Sequence, residues 1–201
     1  MMDEILIIDD AIPKDDLDKI ENLVSSFSFP WFYQRSSTYE SDDKANLNLT
    51  KEFLTNAVDT PVMTHVLWKD GTNSKFVNNF VPITRSIPDI DSYKVVRCQV
   101  NLTFPSPKCN ENNYSFPHTD LFDLNKDYVT AICYLNNCTG DTFIFNEKWG
   151  HFGKLTVKQR ITPKRGRLVV FNGKQLHAGN NPLGGSTSRF VVNVNLVKKP
   201  V

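Results

Sequence analysis

The sequence predicts a single α+β domain in which helices from the N-terminal part cover one face of an antiparallel β-structure. Its 201 residues are the size of one domain, which buries about 70% of the surface of the unfolded chain. Helical patterns occur before residue 90, whereas an apolar period of two dominates from residue 92 onwards. Short strands separated by turn-rich pieces are typical of a sandwich, a barrel or a jelly roll.

The N-terminal part, residues 1–91, begins with an amphipathic helix. In IPKDDLDKIENLVSSF, Pro13 stands where a first helical turn tolerates proline, and Asp15 and Asp16 lie near the positive end of the helix. Apolar residues then recur at helical spacing: Leu17, Ile20, Leu23, Val24 and Phe27. We expect this stripe to face the core.

Three further segments follow before the β-region. Trp31, Phe32 and Tyr33 form an aromatic cluster that we assign to core packing, with a lid or a substrate-binding wall as the alternative. The stretch PVMTHVLWKDGTNS predicts a strand that ends in a turn at Asp70 and Gly71. The stretch SKFVNNFVPITRSI predicts a helix that is interrupted or ends near Pro82.

The β-region, residues 92–197, begins with an alternating strand, YKVVRCQVNLTF. One face carries Val96, Cys98, Val100, Leu102 and Phe104, and the other carries Arg97, Gln99, Asn101 and Thr103. Further strands are predicted from YVTAICYLN, DTFIFNE, RLVVFNG and RFVVNVNLV. The last strand has an apolar face (Phe190, Val192, Val194, Leu196) and a largely polar face (Arg189, Val191, Asn193, Asn195). Either both polar faces meet solvent, or both line a wet cavity inside a rolled-up sheet.

Composition narrows the classes of partner. The net charge of +1 argues against a nucleic-acid partner and against an anionic membrane surface. The start MMDEILIIDD lacks the basic residues and the long apolar run of a secretory signal, and no run reaches the length of a membrane span. These features predict a cytoplasmic protein whose four cysteines are reduced thiols. They leave the oligomeric state open.

One short stretch, NYSFPHTDLFD, pairs His118 with Asp120. On an extended segment two such residues point to the same side, so one nitrogen and one oxygen could bind a single metal ion. Alone, this pair is a weak signal. His177 follows the strand RLVVF and is expected at a strand edge, where a third ligand could come from a different strand. Two histidines and one carboxylate form the facial triad that suits non-haem Fe(II) oxygenases.

Arg189 opens the last strand on its polar face. A buried arginine needs an anionic partner, and the final strand contains no acidic residue. A guanidinium binds a carboxylate through two parallel hydrogen bonds, so an anionic ligand would satisfy Arg189. The alternative is an arginine on the surface at the start of a strand.

Together these residues resemble the 2-oxoglutarate- and Fe(II)-dependent dioxygenases, and most closely their prolyl-4-hydroxylase-like branch. The family pattern of H-x-D, a distal histidine and a later basic residue is similar to His118-Thr119-Asp120, His177 and Arg189. The stretches ICYLNN, TGDTFIF and PKRGRLVVFNGKQLH are also similar to motifs of that branch, and the similarity covers roughly residues 92–197. The N-terminal half resembles oxygenases encoded by bacteriophages.

The resemblance implies a double-stranded β-helix, or jelly roll, and a set of site residues. His118, Asp120 and His177 would be the catalytic metal ligands. Arg189 and Tyr134 would hold 2-oxoglutarate, with Asn101 as a further pocket residue. The implied cofactors are Fe(II), 2-oxoglutarate as cosubstrate and O₂, and ascorbate is a further candidate. The implied reaction is hydroxylation of a C–H bond, with succinate and CO₂ as co-products.

Some positions depart from related branches. Asp141 stands where this branch has a second glycine, a change that we expect to be harmless apart from its effect on that turn. Asn195 stands where relatives that repair alkylated bases carry a second arginine, which argues against that activity. Halogenating relatives lack the carboxylate that Asp120 supplies, so hydroxylation is favoured. His65 and His151 match no motif, and we assign them structural or surface roles.

The substrate is the least determined part of this interpretation. The resemblance makes a peptidyl proline the first candidate, while another peptide or protein, a free amino acid, another small molecule or a nucleobase stays open. If the chain is phage-encoded, its compartment would be the cytoplasm of the host. A different class of function is a jelly-roll binding module for a carbohydrate or peptide, without turnover.

Overall fold

The computed structural model describes residues 4–36, 54–121, 127–151 and 153–200; the polar stretch after the aromatic cluster lies outside these ranges. The strands are β1 (Leu6–Ile8), β2 (Phe32–Gln34), β3 (Val62–Lys69), β4 (Thr72–Asn73), β5 (Tyr93–Thr103), β6 (Tyr128–Tyr134), β7 (Thr142–Lys148), β8 (Val157–Ile161), β9 (Leu168–Asn172), β10 (Gln175–Gly179) and β11 (Arg189–Lys198). The helices are α1 (Lys14–Val24), α2 (Val81–Arg85) and two 3₁₀ turns, Val77–Phe80 and Ile90–Ser92.

Two antiparallel sheets form the β-structure. The larger sheet has the order β1-β9-β6-β11-β5-β3-β2, with β4 added beside β3, and the smaller sheet has the order β10-β7-β8. Neighbouring strands in the larger sheet are mostly distant in sequence, as β11 lies between β5 and β6. The expected α+β jelly-roll fold is confirmed.

The outer face of the larger sheet is covered by the N-terminal helices. Strand β9 shows why, since Leu168 and Val170 point to this face while Val169 and Phe171 point between the sheets. The helix side joins α1, the turn before α2 and the central strands in one cluster that includes Leu17, Ile20, Val24, Phe80, Ile83, Cys133, Leu168, Val192 and Val194. Burial of this apolar area is the main force that fixes the helices on the sheet.

The helices differ in detail from the sequence prediction. Helix α1 ends at Val24, so Phe27 lies beyond it and is fully exposed instead of continuing the apolar stripe. Pro82 occupies the first turn of α2, where its missing N–H is harmless, and so it begins a helix rather than ending one. None of the helices in the described ranges has the length and apolar character needed to cross a membrane.

Strand β5 confirms the predicted alternation over most of its length. Cys98, Val100 and Leu102 are buried, as expected. A bulge beside Asn195 shifts the register, so that Val95 rather than Val96 packs against the helix-side core. Phe104 lies past the end of β5 and is 48% exposed, so it does not continue the buried face formed by Cys98, Val100 and Leu102.

The polar faces of β5 and β11 lie side by side, because these two strands pair directly with each other. Strand β11 pairs with β5 so that Arg189 lies opposite Thr103 and Asn195 lies opposite Arg97. Side chains from both faces line one cavity between the sheets. Of the two interpretations of these faces, the wet cavity is therefore confirmed.

The aromatic cluster divides between core and surface. Trp31 donates a hydrogen bond from Nε1 to the Val24 carbonyl (3.2 Å) and packs against Phe29 and the helix-side core. Phe32 and Tyr33 are 60% and 66% exposed, so core packing was wrong for these two. Both lie on β2, the edge strand of the larger sheet.

Gly140 holds the start of β7 against the loop after β10. Its φ is +98°, and a Cβ atom there would lie 2.8 Å from the Asn180 carbonyl oxygen and 2.8 Å from the Pro182 nitrogen. These neighbours are backbone atoms, which cannot move aside as a flexible side chain can. The close approach fixes where Thr142 begins β7.

We expect Gly140→Ala to lower the free energy of unfolding by about 2 kcal/mol or more, because the new residue combines a left-handed conformation with a backbone clash. Gly184→Ala is the matched control, since Gly184 has open space around its Cβ direction and no positive φ. Urea unfolding of both variants checks the prediction. Equal midpoints for the two variants would contradict it.

Candidate metal and cosubstrate site

Three side chains from two segments converge at one end of the cavity. His177 lies within β10, and the backbone of His118 pairs with it through two hydrogen bonds of 3.0 and 3.1 Å. Asp120 follows on the same segment. His177 Nε2 lies 3.6 Å from Asp120 Oδ2, and His118 Nε2 lies 4.0 Å from Asp120 Oδ1. One ligand atom from each residue lies within 4.8 Å of the other two, so the three residues could bind one metal ion.

Both histidines are oriented through the ring nitrogen that faces away from Asp120. His118 Nδ1 lies 2.9 Å from the Phe116 carbonyl oxygen, and His177 Nδ1 lies 3.2 Å from the Gln175 carbonyl oxygen. A carbonyl only accepts hydrogen bonds, so each Nδ1 carries the proton and each Nε2 keeps its lone pair. This tautomer is the one that a metal-binding imidazole requires.

Asp120 is buried and surrounded by donors. Asn195 Nδ2 donates to Oδ2 (3.0 Å), Thr130 Oγ1 donates to Oδ2 (3.3 Å), and Arg97 Nη1 approaches Oδ1 (3.4 Å). Burial by itself would raise the pKa of Asp120, but the electrostatic effects of His177, Arg97 and His118 and the Asn195 hydrogen bond outweigh it and hold the pKa below its usual range. The side chain is therefore a carboxylate at neutral pH.

The donor atoms of the three side chains are suited to Fe(II). His177 Nε2 is buried and makes no hydrogen bond within the described residues, which is the state expected of a ligand atom. Two imidazole nitrogens and one carboxylate suit a first-row divalent metal, and a facial set leaves positions for further ligands. Phe171 packs edge-on against the His177 ring, with centroids 5.1 Å apart, and limits its rotation.

A second group of side chains surrounds Arg189, the first residue of β11. Arg189 is only 6% exposed, and its Nη2 donates to Thr142 Oγ1 (2.8 Å). Tyr134 is fully buried and donates its hydroxyl to the same Thr142 oxygen (2.7 Å). Because Thr142 accepts both bonds, its own hydroxyl proton is free to donate to a ligand in the cavity.

Two buried polar atoms near Arg189 lack a partner among the described residues. They are Arg189 Nε and Thr103 Oγ1, which belong to residues directly opposite each other in the sheet. Gly179 leaves space beside the guanidinium, as a Cβ there would lie 3.4 Å from Arg189 Nη1. Unpaired buried donors are unfavourable, so this part of the cavity is suited to an acceptor such as a carboxylate.

Asn101 belongs to a chain of polar side chains along β5. Arg97 Nη2 donates to Gln99 Oε1 (2.7 Å), and Gln99 Nε2 donates to Asn101 Oδ1 (2.5 Å). Asn101 lines the cavity, as the sequence predicted. Its part in holding a cosubstrate stays a prediction.

The cavity that joins these groups has a volume of about 450 Å³, within the range of small-molecule sites. It contains the triad at one side and Arg189 with Thr142 at another. The smaller sheet supplies His177 and Thr142, and the larger sheet supplies Arg97 and Arg189. Both sheets are therefore needed to form the site.

Sequence reasoning missed four residues of the site: Arg97, Thr130, Thr142 and Asn195. Arg97 and Asn195 stand on the two polar faces that the alternation identified, so a search for partners of Asp120 among them could have found both.

His177 lies inside β10 and not at a strand edge. His65 is buried between the Pro30 carbonyl and Ser74 Oγ (2.7 and 2.8 Å) and His151 follows β7, so neither joins the triad.

Asn195 positions the carboxylate of Asp120, and we expect Asn195→Ala to weaken Fe(II) binding by roughly 10–100-fold, as is usual when a hydrogen-bond partner of a ligand is lost. The reason is the loss of the 3.0 Å bond to Oδ2. Asn79→Ala, at an exposed position, is the matched control. Anaerobic Fe(II) titration measures both, and unchanged affinity in Asn195→Ala would contradict the assigned role.

Comparison with known proteins agrees with this geometry. Residues 106–197 match the family model described as the 2OG-Fe(II) oxygenase superfamily. A search of curated protein sequences finds no match.

Solved structures show the same fold at low sequence identity. An oxidoreductase of the 2OG-Fe(II) oxygenase family from Burkholderia pseudomallei is 12% identical with a TM-score of 0.64, over 97% of this chain and 85% of that one. A viral collagen prolyl hydroxylase from Paramecium bursaria Chlorella virus-1, in a 2OG complex, is 18% identical with a TM-score of 0.52, over 98% and 96%. A prolyl hydroxylase from Trichoplax adhaerens is 15% identical with a TM-score of 0.57, over 96% and 83%.

These matches support the resemblance seen in the sequence. The family match covers the segment with His118 and Asp120 and the β-strands that carry Tyr134, His177 and Arg189. The structural matches extend the shared fold to nearly the whole chain. Residues 106–197 are thus similar to the 2OG-Fe(II) oxygenase superfamily, and the chain shares the fold of solved members of that superfamily.

Proposed function

We propose that this protein is an Fe(II)- and 2-oxoglutarate-dependent dioxygenase that hydroxylates a C–H bond of its substrate, with succinate and CO₂ as co-products. The observation that carries the proposal is the His118-Asp120-His177 group, whose Nε2 atoms face one carboxylate. When bound, Fe(II) with 2-oxoglutarate and O₂ supplies the oxidising chemistry. The protein supplies orientation, charge and limited access for water.

The metal ligands are held before any metal arrives. The carbonyls of Phe116 and Gln175 fix the two imidazoles, and the amide of Asn195 fixes Asp120. Prepositioned ligands need little reorganisation on binding, which favours affinity. The low pKa of Asp120 keeps this ligand ionised, so it does not have to release a proton when a cation binds.

Arg189, Tyr134 and Thr142 would hold the distal carboxylate of 2-oxoglutarate. The Arg189 guanidinium supplies charge, and Thr142 supplies a hydroxyl proton. Burial is the main cause that raises the pKa of Tyr134, so the phenol stays neutral and keeps the proton that it donates to Thr142. Asn101 lines the same cavity and would add a polar contact.

The direct test is an anaerobic titration of the protein with Fe(II) and 2-oxoglutarate. A metal-to-ligand charge-transfer band is expected when both bind, together with succinate formation once air is admitted. Absence of the band would contradict the proposal. Succinate formation also separates an enzyme from a jelly-roll binding module, which the family match does not favour. Assays with and without ascorbate decide whether it supports turnover.

A peptidyl proline is the first substrate to test. The support is the similarity in fold to the viral collagen prolyl hydroxylase and to the Trichoplax adhaerens prolyl hydroxylase. Proline-containing peptides would be screened by mass spectrometry for a gain of one oxygen coupled to succinate. A gain of oxygen on another compound, with none on the peptides, would reject proline and keep the dioxygenase.

A further inference from the structure

Two cationic side chains face each other across the part of the cavity nearest the triad. Strand β3 pairs with β5 so that Lys69 lies opposite Arg97, and both side chains line the cavity. Like charges directly opposite each other destabilise a pair of strands. A negative charge between the two groups would relieve this repulsion.

The occupants proposed above do not supply that charge. Asp120 is the acidic residue among the described side chains that line the cavity. Its charge and one carboxylate of 2-oxoglutarate would balance Fe(II), and the other carboxylate would balance Arg189. With the site loaded in this way, Arg97 and Lys69 keep two positive charges without a further acidic residue among the described side chains that line the cavity.

Arg97 is positioned to act on a ligand beside the metal. Its side chain is 17% exposed, and its best hydrogen bond goes to Gln99 Oε1 (2.7 Å), which fixes the guanidinium. The contacts with Asp120 and Asn195 are long, at 3.4 Å each. A planar guanidinium held in this way can still bind an anion through parallel hydrogen bonds.

The wall beside Arg97 is polar as well. Asn193 lies opposite Gln99 in the sheet and lines the cavity. Asn193 Oδ1 is buried and makes no hydrogen bond within the described residues. A buried polar atom without a partner points to a polar ligand at this wall.

We propose that the substrate carries an anionic group, a carboxylate or a phosphate monoester, that binds between Arg97 and Lys69 and places a neighbouring C–H bond at the metal. This inference rests on the proposed dioxygenase function and adds a substrate class that differs from a peptidyl proline, whose ring carries no anionic group. Because Arg97 contacts the ligand Asp120, the anionic group would lie within a few bonds of the oxidised carbon.

The test uses protein loaded with Mn(II) and 2-oxoglutarate without oxygen, so that Arg189 is already occupied. The probes are small carboxylic acids and phosphate monoesters, each paired with its neutral amide or alcohol. Thermal shift identifies binders and calorimetry measures their affinity. We expect the best anions to bind about 10-fold or more tightly than their neutral counterparts. The stronger of the two anion classes identifies the head group.

Two variants test whether the anion binds to Lys69 and Arg97. Lys69→Gln and Arg97→Gln should each weaken the best anion by about 10-fold. Lys69→Gln should disturb folding less than Arg97→Gln, since Lys69 is exposed at the end of β3. Lys94→Gln, at an exposed position of β5 outside the cavity lining, should leave the affinity unchanged.

Two results would overturn the inference: a library in which no anion binds better than its neutral counterpart, or an anion whose affinity is the same in Lys69→Gln and Lys94→Gln. The charge-transfer band of the unmutated protein is measured first. Its absence rejects the dioxygenase itself, whereas its presence without anion preference rejects only the substrate class.

Discussion

Asp120→Ala is expected to abolish the charge-transfer band of the anaerobic protein with Fe(II) and 2-oxoglutarate. The change removes the one carboxylate of the triad and leaves two neutral imidazoles, which bind a divalent cation poorly without an anionic partner. The loss of Fe(II) affinity should exceed the roughly 10–100-fold that follows from losing an outer hydrogen-bond partner. Spectrophotometric titration measures the band, and calorimetry with Mn(II) measures metal affinity without oxidation.

Thr119→Val is the matched control for this prediction. Thr119 lies between the two ligands, but its hydroxyl donates to the Leu121 carbonyl (3.3 Å) and is not part of the triad. The variant should therefore keep the band. His177→Ala provides a second loss-of-ligand variant in case Asp120→Ala disturbs Arg97. A band that survives in both Asp120→Ala and His177→Ala would reject the proposed metal site.

Arg189→Gln is expected to weaken 2-oxoglutarate binding to the Mn(II)-loaded protein by about 100-fold or more. Truncating one partner of a buried, hydrogen-bonded charge pair costs roughly 2–5 kcal/mol. Arg189 is buried against Thr142 and Gly179, which hold the guanidinium in the cavity. Calorimetric titration with 2-oxoglutarate gives the affinity directly.

Arg85→Gln serves as the control, because Arg85 is exposed at the end of α2. Arg189→Lys should fall between the two, since it keeps the charge but loses the planar pair of donors. Mn(II) affinity without 2-oxoglutarate should stay unchanged in all three variants. An Arg189→Gln protein that binds 2-oxoglutarate as well as Arg85→Gln does would remove Arg189 from the proposed site.

The sequence predicted the parts of the fold that have strong local signals. The alternation in β5 and β11 identified both polar faces, and the stripe of Leu17 and Ile20 identified α1. Strand β8, VKQRI, was missed because its polar residues give no apolar face, and the short edge strands β1 and β2 have only three residues each. Tertiary pairing determines such strands more than their own composition does.

A sequence motif allowed the metal-binding part of the candidate site to be predicted. His118, Asp120 and His177 were found from spacing and resemblance, and the structure brings their side chains together. The contact between Arg97 and Asp120 had no local signal, because it depends on how β5 lies beside β11 and on where the H-x-D segment crosses them. The shared hydroxyl of Thr142 likewise depends on the docking of one sheet onto the other.

The backbone pairing of His118 with His177 has a consequence for chain entropy. Two hydrogen bonds between His118 and His177, and a third from the Ser115 N–H to the Gly179 carbonyl, join the segment that carries H-x-D to β10, and the His118–His177 pair closes a loop of about 60 residues. A metal ion bound by side chains on both sides of that pair would add a further crosslink to the same loop. Opening the segment would then require releasing the ion, so metal binding should suppress local unfolding at residues 118–120 more than elsewhere in the sheet.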